Sequence, residues 1–576
     1  MADSGDTIHI AAGTYTEDIT FNKNGSFIAD GAVTITPSAA TQAGYFNGAV
    51  TLDFSGITFS AGGAAQVLRT GTGPTITFTN CHLVTTSACD YGFNHVIGNV
   101  SWVGGTISGD FNNDIILIGA SNTGSFLFNG AAICSTAGDS FIRNSGDCDV
   151  TIGTAAEITL AGTPYAFLEF ISAKTAAVSV AGKWVCAANF SGYPFYFSTG
   201  TYDIEIDGAE INISSATLPA RVVSIQDQIA PEIKNSVITT TKSAACTHIL
   251  CRSTGTNMGT PVITGNTCNT ASESGFCISC GDEASIDTEE MITPNISGNI
   301  INIIATSGSL HPIFVFHNIN AMIQRNKVLS AGGGYGIILK HDGSTYTSGG
   351  IFGNVISGVA TYPGIYLKGV SGVDIYNNTV YSPTNSGALV LITENGEAEY
   401  SINSTLKNNI VSGGATSLIM VNAGSHTGFA SANNCLHQSG DGHVGIVNGS
   451  NLDDTAWAAA YSNDILANPL FASFANDDFQ LTAPSPCIRA GADVSLTEDI
   501  TGTSIPQRGI PDIGAYEYVR TVSPSTTVGW QTMLQALKYK NTTASPTAGT
   551  RSFVIHLVTH LNHKSSDVTK TITIPE

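Results

Sequence analysis

Apolar and polar positions alternate in short bursts along this chain, and each burst ends in a tight bend. Val373-Asp374-Ile375 is one such burst, followed by residues rich in Gly, Ser and Thr. A period of two broken by Gly-rich corners predicts short strands. No stretch keeps a 3.6-residue apolar period long enough for a helical hairpin.

Between Gly265 and Leu436 one corner phrase returns seven times, with Asn always second: Asn266, Asn299, Asn326, Asn354, Asn378, Asn409 and Asn434. The steps are 33, 27, 28, 24, 31 and 25 residues. Spacing of this kind predicts a solenoid, in which each repeat buries its apolar face against its neighbours. Stacked about 4.8 Å apart, the seven side chains are expected to pass amide hydrogen bonds from rung to rung.

The same register runs upstream without Asn. Inward residues near a corner recur at Ile28, Phe54, Phe78, Trp102, Phe128, Ile152, Val180, Ile206 and Ile233. Fifteen steps from Asp30 to Asn433 give about 16 coils and a rod about 75 Å long. The early aromatic residues read as core filling. The coil near Glu157 falls one residue out of register, which predicts a bulge. After Leu436 the rhythm breaks.

Composition narrows the class. Of 576 residues, 42% are hydrophobic and only 11% charged, which with the periodic apolar positions suits an extracellular all-β protein. A net charge of −22 excludes nucleic acid as a partner, because there is no basic surface to displace counterions from phosphates. No apolar run is long enough to span a membrane, and the first residues do not form a signal peptide. The 12 Cys are not at zinc-site spacings. Cys277 and Cys280, three apart in a strand, are expected on opposite faces, so a shared metal is not expected; stacking in the core is.

The opening Gly5-Asp6-Thr7-Ile8 and Gly13-Thr14-Tyr15-Thr16-Glu17 resemble the first coil of secreted, pectate-lyase-like right-handed parallel β-helix proteins. Few residues precede it, so the first coil is expected to be uncapped and a template for association. Asn468-Pro469-Leu470-Phe471, Ser485-Pro486-Cys487-Ile488-Arg489-Ala490-Gly491 and Asp512-Ile513-Gly514-Ala515-Tyr516-Glu517-Tyr518 are similar to the ending of bacterial β-helix proteins of the choice-of-anchor type. The resemblance implies an all-β, right-handed parallel β-helix over residues 1–436, with final coils and a closing cap over 437–518. It leaves activity open. It also implies a disulfide between Cys435 and Cys487. Residues 519–576 resemble half of a bacterial cadherin-like repeat, implying a small β-sandwich-like module. The Asp-Gly turn usual there is replaced by His560-Leu561-Asn562-His563, so calcium has no clear site, and no metal or cofactor is expected.

That module carries six Lys or Arg and two acids, which leaves −26 for the body. Opposed charges and an open first coil point to head-to-tail association of copies of the chain. The leading expectation is therefore an extracellular or cell-surface structural and adhesive rod, contacting itself and a polysaccharide or the cell envelope.

The alternative is an enzyme. Aligning the strands around 313–316, 337–340, 365–368 and 389–393 puts Lys340 beside Lys368, with His317, His341, Asp342 and Glu394 near. Cations that neutralise a uronate and a base that takes its α-proton make a lyase for acidic glycans. A hydrolase would need two carboxylates on one groove, and the sequence displays no clear pair. A third possibility is a glycan-binding adhesin or tailspike-like rod, with Tyr366, Tyr376 and Tyr381 stacking on sugars.

Overall fold

The computed structural model describes residues 4–519 except 40, 172–173, 188, 199, 215–218, 229, 242–244, 253–258, 282–292, 306–307, 317–319, 333, 342–348, 360, 386, 395–399, 415 and 508; beyond 519 it describes only the strand backbones Gly549–Ile555 and Val568–Ile574. The chain divides into two units, Met1–Tyr518 and Val519–Glu576. In the second unit the two strands pair antiparallel, with Gly549 opposite Ile574. The rest of the expected β-sandwich-like module lies outside the described residues.

The first unit is a parallel β-solenoid of about 15 turns. Strand makes up 54% of the chain and helix 2%, so the class is all-β. Each turn crosses three faces, and in early turns one long strand such as Asn99–Phe111 covers the first two. In one turn Gly349–Phe352 lies on face 1 and Val355–Ser357 on face 2, and Ile365–Lys368 follows on face 3. One turn later Ile375 sits on Ile351, Val380 on Ile356, and Val390 on Ile365.

One inward row of face 1 runs unbroken from Phe54 through Phe78, Trp102, Phe128, Ile152, Val180, Ile206 and Ile233. It continues through Ile263, Ile296, Ile323, Ile351, Ile375 and Leu406. The early aromatic rings stack along the axis, with centroids 5.4 Å apart for Phe54 and Phe78 and 4.8 Å for Phe78 and Trp102.

Two register expectations need correction. Phe27, not Ile28, stacks on Phe54. The corner after it holds extra residues, with Gly31 at φ +113°, so counting back from Asp30 lands one position off. At Glu157 there is no bulge in the strand: Glu157 pairs squarely with Ala131 and Lys183. The extra length sits in the corner between Ile152 and Glu157. Cys277 and Cys280 both lie in the core, as expected of stacked Cys, although a spacing of three was expected to put them on opposite faces; all 12 Cys are buried.

The asparagine ladder is complete. Asn354 shows its unit. Its Oδ1 accepts from the backbone N–H and Nδ2 of Asn326 at 2.9 and 3.0 Å. Its Nδ2 donates to Asn378 Oδ1 and to the Ile323 carbonyl, both at 2.9 Å. The residue before each ladder Asn is left-handed: Gly265, Gly298, Arg325, Gly353, Asn377, Asn408 and Asn433 lie between φ +55° and +67°. That conformation is why Gly and Asn dominate the position.

The rhythm does not stop at Leu436. Asn463-Asp464-Ile465-Leu466 is an eighth rung, with Ile465 on Cys435 and Leu466 on Leu436. Asp464 Oδ1 accepts from the backbone N–H and Nδ2 of Asn434 at 2.9 and 3.0 Å. Its Oδ2 accepts from Ser431 Oγ at 2.5 Å and Trp457 Nε1 at 3.1 Å. The short helix Asp454–Ala460, capped by Asp453, sets Trp457 over the last coil. Gly445 faces that indole, and a Cβ there would collide with it. A carboxylate ends the ladder because both oxygens must accept. Asp464→Asn would turn an NH₂ toward two donors, and is expected to destabilise the unit by about 1–3 kcal/mol in chemical denaturation.

Residues 468–518 then run back along the side of the solenoid. Asn433 Nδ2 donates to the Ala490 carbonyl, and Asn408 exchanges two hydrogen bonds with Ala492. Asn377 Nδ2 reaches the Gly514 carbonyl, and Arg325 pairs with Glu498. So the first Asn of each Asn-Asn phrase holds the returning segment. The acids of the closing motif are turn staples: Asp512 accepts from the N–H groups of Arg489 and Tyr518, and Glu517 from that of Asp512. Cys435 and Cys487 lie in one apolar cluster with Ile410, Leu481 and Ile513, as free thiols.

Candidate functional site

Face 3 carries an outward row in strict register: Tyr45, Arg69, Asn94, Leu117, Arg143, Glu169, Tyr196 and Ser224. In the strand Ile142–Asn144 the two flanking residues fill the core, so Arg143 must face out. Glu169 does the same in Leu168–Phe170. Asp114 sits at the corner entering Ile116–Ile118 and is only 3% exposed.

Two carboxyl groups from turns on either side converge on the rung between them. Ser140 donates its backbone N–H to Asp114 Oδ1 and its Oγ hydrogen to Glu169 Oε2, both at 3.0 Å. These bonds hold the two carboxyls within roughly 9 Å of each other, given ordinary covalent lengths between the serine atoms. Arg143 lies against both, Nη1 at 3.9 Å from Asp114 Oδ2 and Nε at 3.7 Å from Glu169 Oε2. At those lengths they are ion pairs, not hydrogen bonds. Asp139 lies half-buried beside them.

Burial raises both carboxyls. Burial pushes Asp114 up to about 7; the Ser140 N–H and Arg143 oppose this, while Asp139 and Glu169 add to it. Burial also raises Glu169, against the Ser140 hydroxyl and the Arg143 guanidinium. Asp139 is raised by burial as well. Grouping three carboxyls around one guanidinium opposes folding. Such an arrangement in an outward-facing row makes this cluster the candidate site.

Tyrosines flank the cluster. Tyr91 feels the charges of Asp114, Asp90 and Asp139, and Tyr165 that of Glu169. Tyr196 is the rung after Glu169, with the Tyr193 ring 5.3 Å away and the Arg221 guanidinium over Tyr193 at 5.4 Å. One rung further, Ser224 Oγ is buried and has no hydrogen-bond partner among the described residues.

Lys340 and Lys368 are direct neighbours on face 3, six rungs beyond the row position of Glu169. That is about 29 Å along the axis. Lys340 Nζ stands 5.1 Å from the Phe316 ring centroid, and Lys368 is opposite Thr393, just before the exposed Glu394. His341 is buried, its backbone N–H bonded to the Lys368 carbonyl at 3.0 Å. His317 and Asp342 lie outside the described residues.

The three tyrosines proposed for sugar stacking sit on three different faces. Tyr366 is on face 3, stacked on Tyr335 at 4.8 Å, so one ring face is already covered. Tyr376 is on face 1 beside Phe352. Tyr381 is on face 2 beneath the returning segment, against Phe471, Phe474 and Phe479.

The carboxylate pair has a sequence signal that the corner phrases hide. Phe167-Leu168-Glu169-Phe170 and Asp114-Ile115-Ile116 each place one acid in an otherwise apolar run. Among the described residues no group of three or more His, Cys, Asp or Glu is arranged to hold a metal ion, and no helix is long and apolar enough to cross a membrane. No protein-family model matches the chain, and no curated protein sequence matches it either.

Proposed function

We propose that the unit Met1–Tyr518 binds a glycan along face 3 and hydrolyses it between Asp114 and Glu169. The observation that carries this reading is the convergence of both carboxyls on Ser140 and Arg143. Below about pH 7 Asp114 keeps its proton and serves as the general acid. Glu169, held by a hydroxyl and a cation, is the base. Glu169 takes a proton from water as the water oxygen bonds to the anomeric carbon. The glycosidic C–O bond breaks, and its oxygen leaves with the Asp114 proton. The bound of roughly 9 Å admits the separation of about 6.5–9.5 Å at which a water fits between two carboxyls. Ser140 and Arg143 position the two carboxyls.

The test is release of reducing ends from a panel of neutral, amino-bearing and acidic polysaccharides. Cleavage by the wild type that is lost in both Asp114→Asn and Glu169→Gln supports the reading. Cleavage that survives in both, yet disappears in Lys340→Ala, moves the chemistry to the lysine pair.

Opposed charges, −26 on residues 1–518 and +4 on 519–576, favour a second reading alongside the first: copies of the chain dock end to end through the basic module. Deleting 519–576 is expected to abolish salt-sensitive assemblies in electron micrographs. Assemblies that persist unchanged sink that reading.

A further inference from the structure

The charge around the carboxylate pair bears on which glycan fits. Four acids, Asp90, Asp114, Asp139 and Glu169, meet at this part of face 3. Of the described cations near them only Arg143 is paired with the acids. Arg143 is shared between Asp114 and Glu169, Arg221 lies over Tyr193, and Arg69, exposed two rungs before Leu117, lies over Tyr45 at 5.7 Å. Lys174, in the next corner region, is paired with Asp147 at 3.3 Å. The body as a whole carries −26. A polyuronate approaching this strip meets the like charge of the body at long range and of Asp90, Asp139 and Glu169 at short range.

Other observations point to a ligand rather than to a merely acidic surface. Tyr91, Tyr165, Tyr193 and Tyr196 are all half-buried and lie on both sides of the carboxyls. Rings in that state present an apolar body and a polar tip, as sugar faces and hydroxyls require. In the same row, two rungs beyond Glu169, the buried Ser224 hydroxyl lacks a partner among the described residues. From the Asn94 rung to the Tyr196 rung is four steps, about 19 Å, which suits a short stretch of polymer.

Resting on the hydrolytic reading above, we propose that the glycan taken by this strip carries free amino groups: an amino-sugar polymer. Its ammonium groups lie at Asp90 and Asp139, while its rings run along Tyr91, Tyr165 and Tyr196. This replaces the acidic glycan that the lysine pair alone suggests.

The experiment uses three oligosaccharide series of equal length: glucosamine oligomers, their N-acetylated counterparts, and galacturonate oligomers. Binding is measured by calorimetry with the full chain carrying Glu169→Gln, and cleavage with the wild type. Glucosamine oligomers are expected to bind at least tenfold more tightly than the N-acetylated series, and galacturonate oligomers not at all. The preference should shrink in high salt. Asp90→Asn with Asp139→Asn should bring the first two series to equal affinity. Equal or tighter binding of the N-acetylated or galacturonate series overturns the proposal, as does absence of binding by all three. The two readings fail separately. Galacturonate cleavage lost in Asp114→Asn would keep the hydrolytic centre and overturn the amino-sugar assignment. Selective glucosamine binding without cleavage would keep the assignment and overturn hydrolysis.

Discussion

Asp114→Asn is expected to lower glycan cleavage by about 10²–10⁴-fold, the usual worth of a general acid, while making the fold more stable above neutral pH. The two effects share one cause. The folded-state pKa of about 7 lies above the ordinary value of 3.8. The folded protein therefore holds this proton more tightly than the unfolded chain does. That contribution to stability is fully present below about 3.8 and is lost as pH rises through about 7. At pH 8 the wild type bears the cost of a buried charge, on the order of 4 kcal/mol at 1.36 kcal/mol per pH unit. Asparagine bears none and still accepts from the Ser140 N–H. Chemical denaturation at pH 4 and pH 8 checks this: the variant should gain on the wild type at pH 8 only. A variant that loses stability at pH 8 would show that Asp114 is an ionised partner of Arg143.

Asn354→Ala is expected to cost about 4 kcal/mol of unfolding free energy. The change deletes two donated bonds and leaves the N–H and Nδ2 of Asn326 facing an empty acceptor position. Each buried group so orphaned costs about 1–3 kcal/mol. The outer pair supplies the control. Asn302 Nδ2 also reaches across a rung, to Asn269 Oδ1 at 2.8 Å, but both side chains are half-buried. Water can replace that bond, so Asn302→Ala should cost under about 1 kcal/mol. Equal losses in the two variants would mean the inner ladder stabilises no more than any surface amide.

The inward row from Phe54 to Leu406 could be read from the chain because its period is local: alternation, then a bend. The Asn corners were legible for the same reason, since a left-handed residue before each one admits little but Gly or Asn. Arg325 is the exception, and its partner Glu498 lies in the returning segment, invisible to a local pattern. The eighth rung was missed because Asp464 replaces the amide that marked the others. Its reason is tertiary: it must accept from Trp457 and Ser431 at the end of the stack.

The lysine neighbours came correctly from aligning strands, because adjacent turns there keep the same register. The carboxylate pair did not. Asp114 and Glu169 are two turns apart and meet only through Ser140 and Arg143 on the turn between them. A search confined to adjacent turns passes over such a pair. The tyrosines show the opposite failure: Tyr366, Tyr376 and Tyr381 are close in sequence but distributed over three faces, because each strand of a turn points away from the other two.

The most direct test of the central claim is cleavage of a susceptible polysaccharide in water enriched in oxygen-18, read by mass spectrometry. Hydrolysis at Asp114 and Glu169 predicts one heavy oxygen at each new reducing end, and its disappearance in Asp114→Asn and in Glu169→Gln. Unsaturated ends without the heavy oxygen, or labelled ends that persist in both variants, would contradict it.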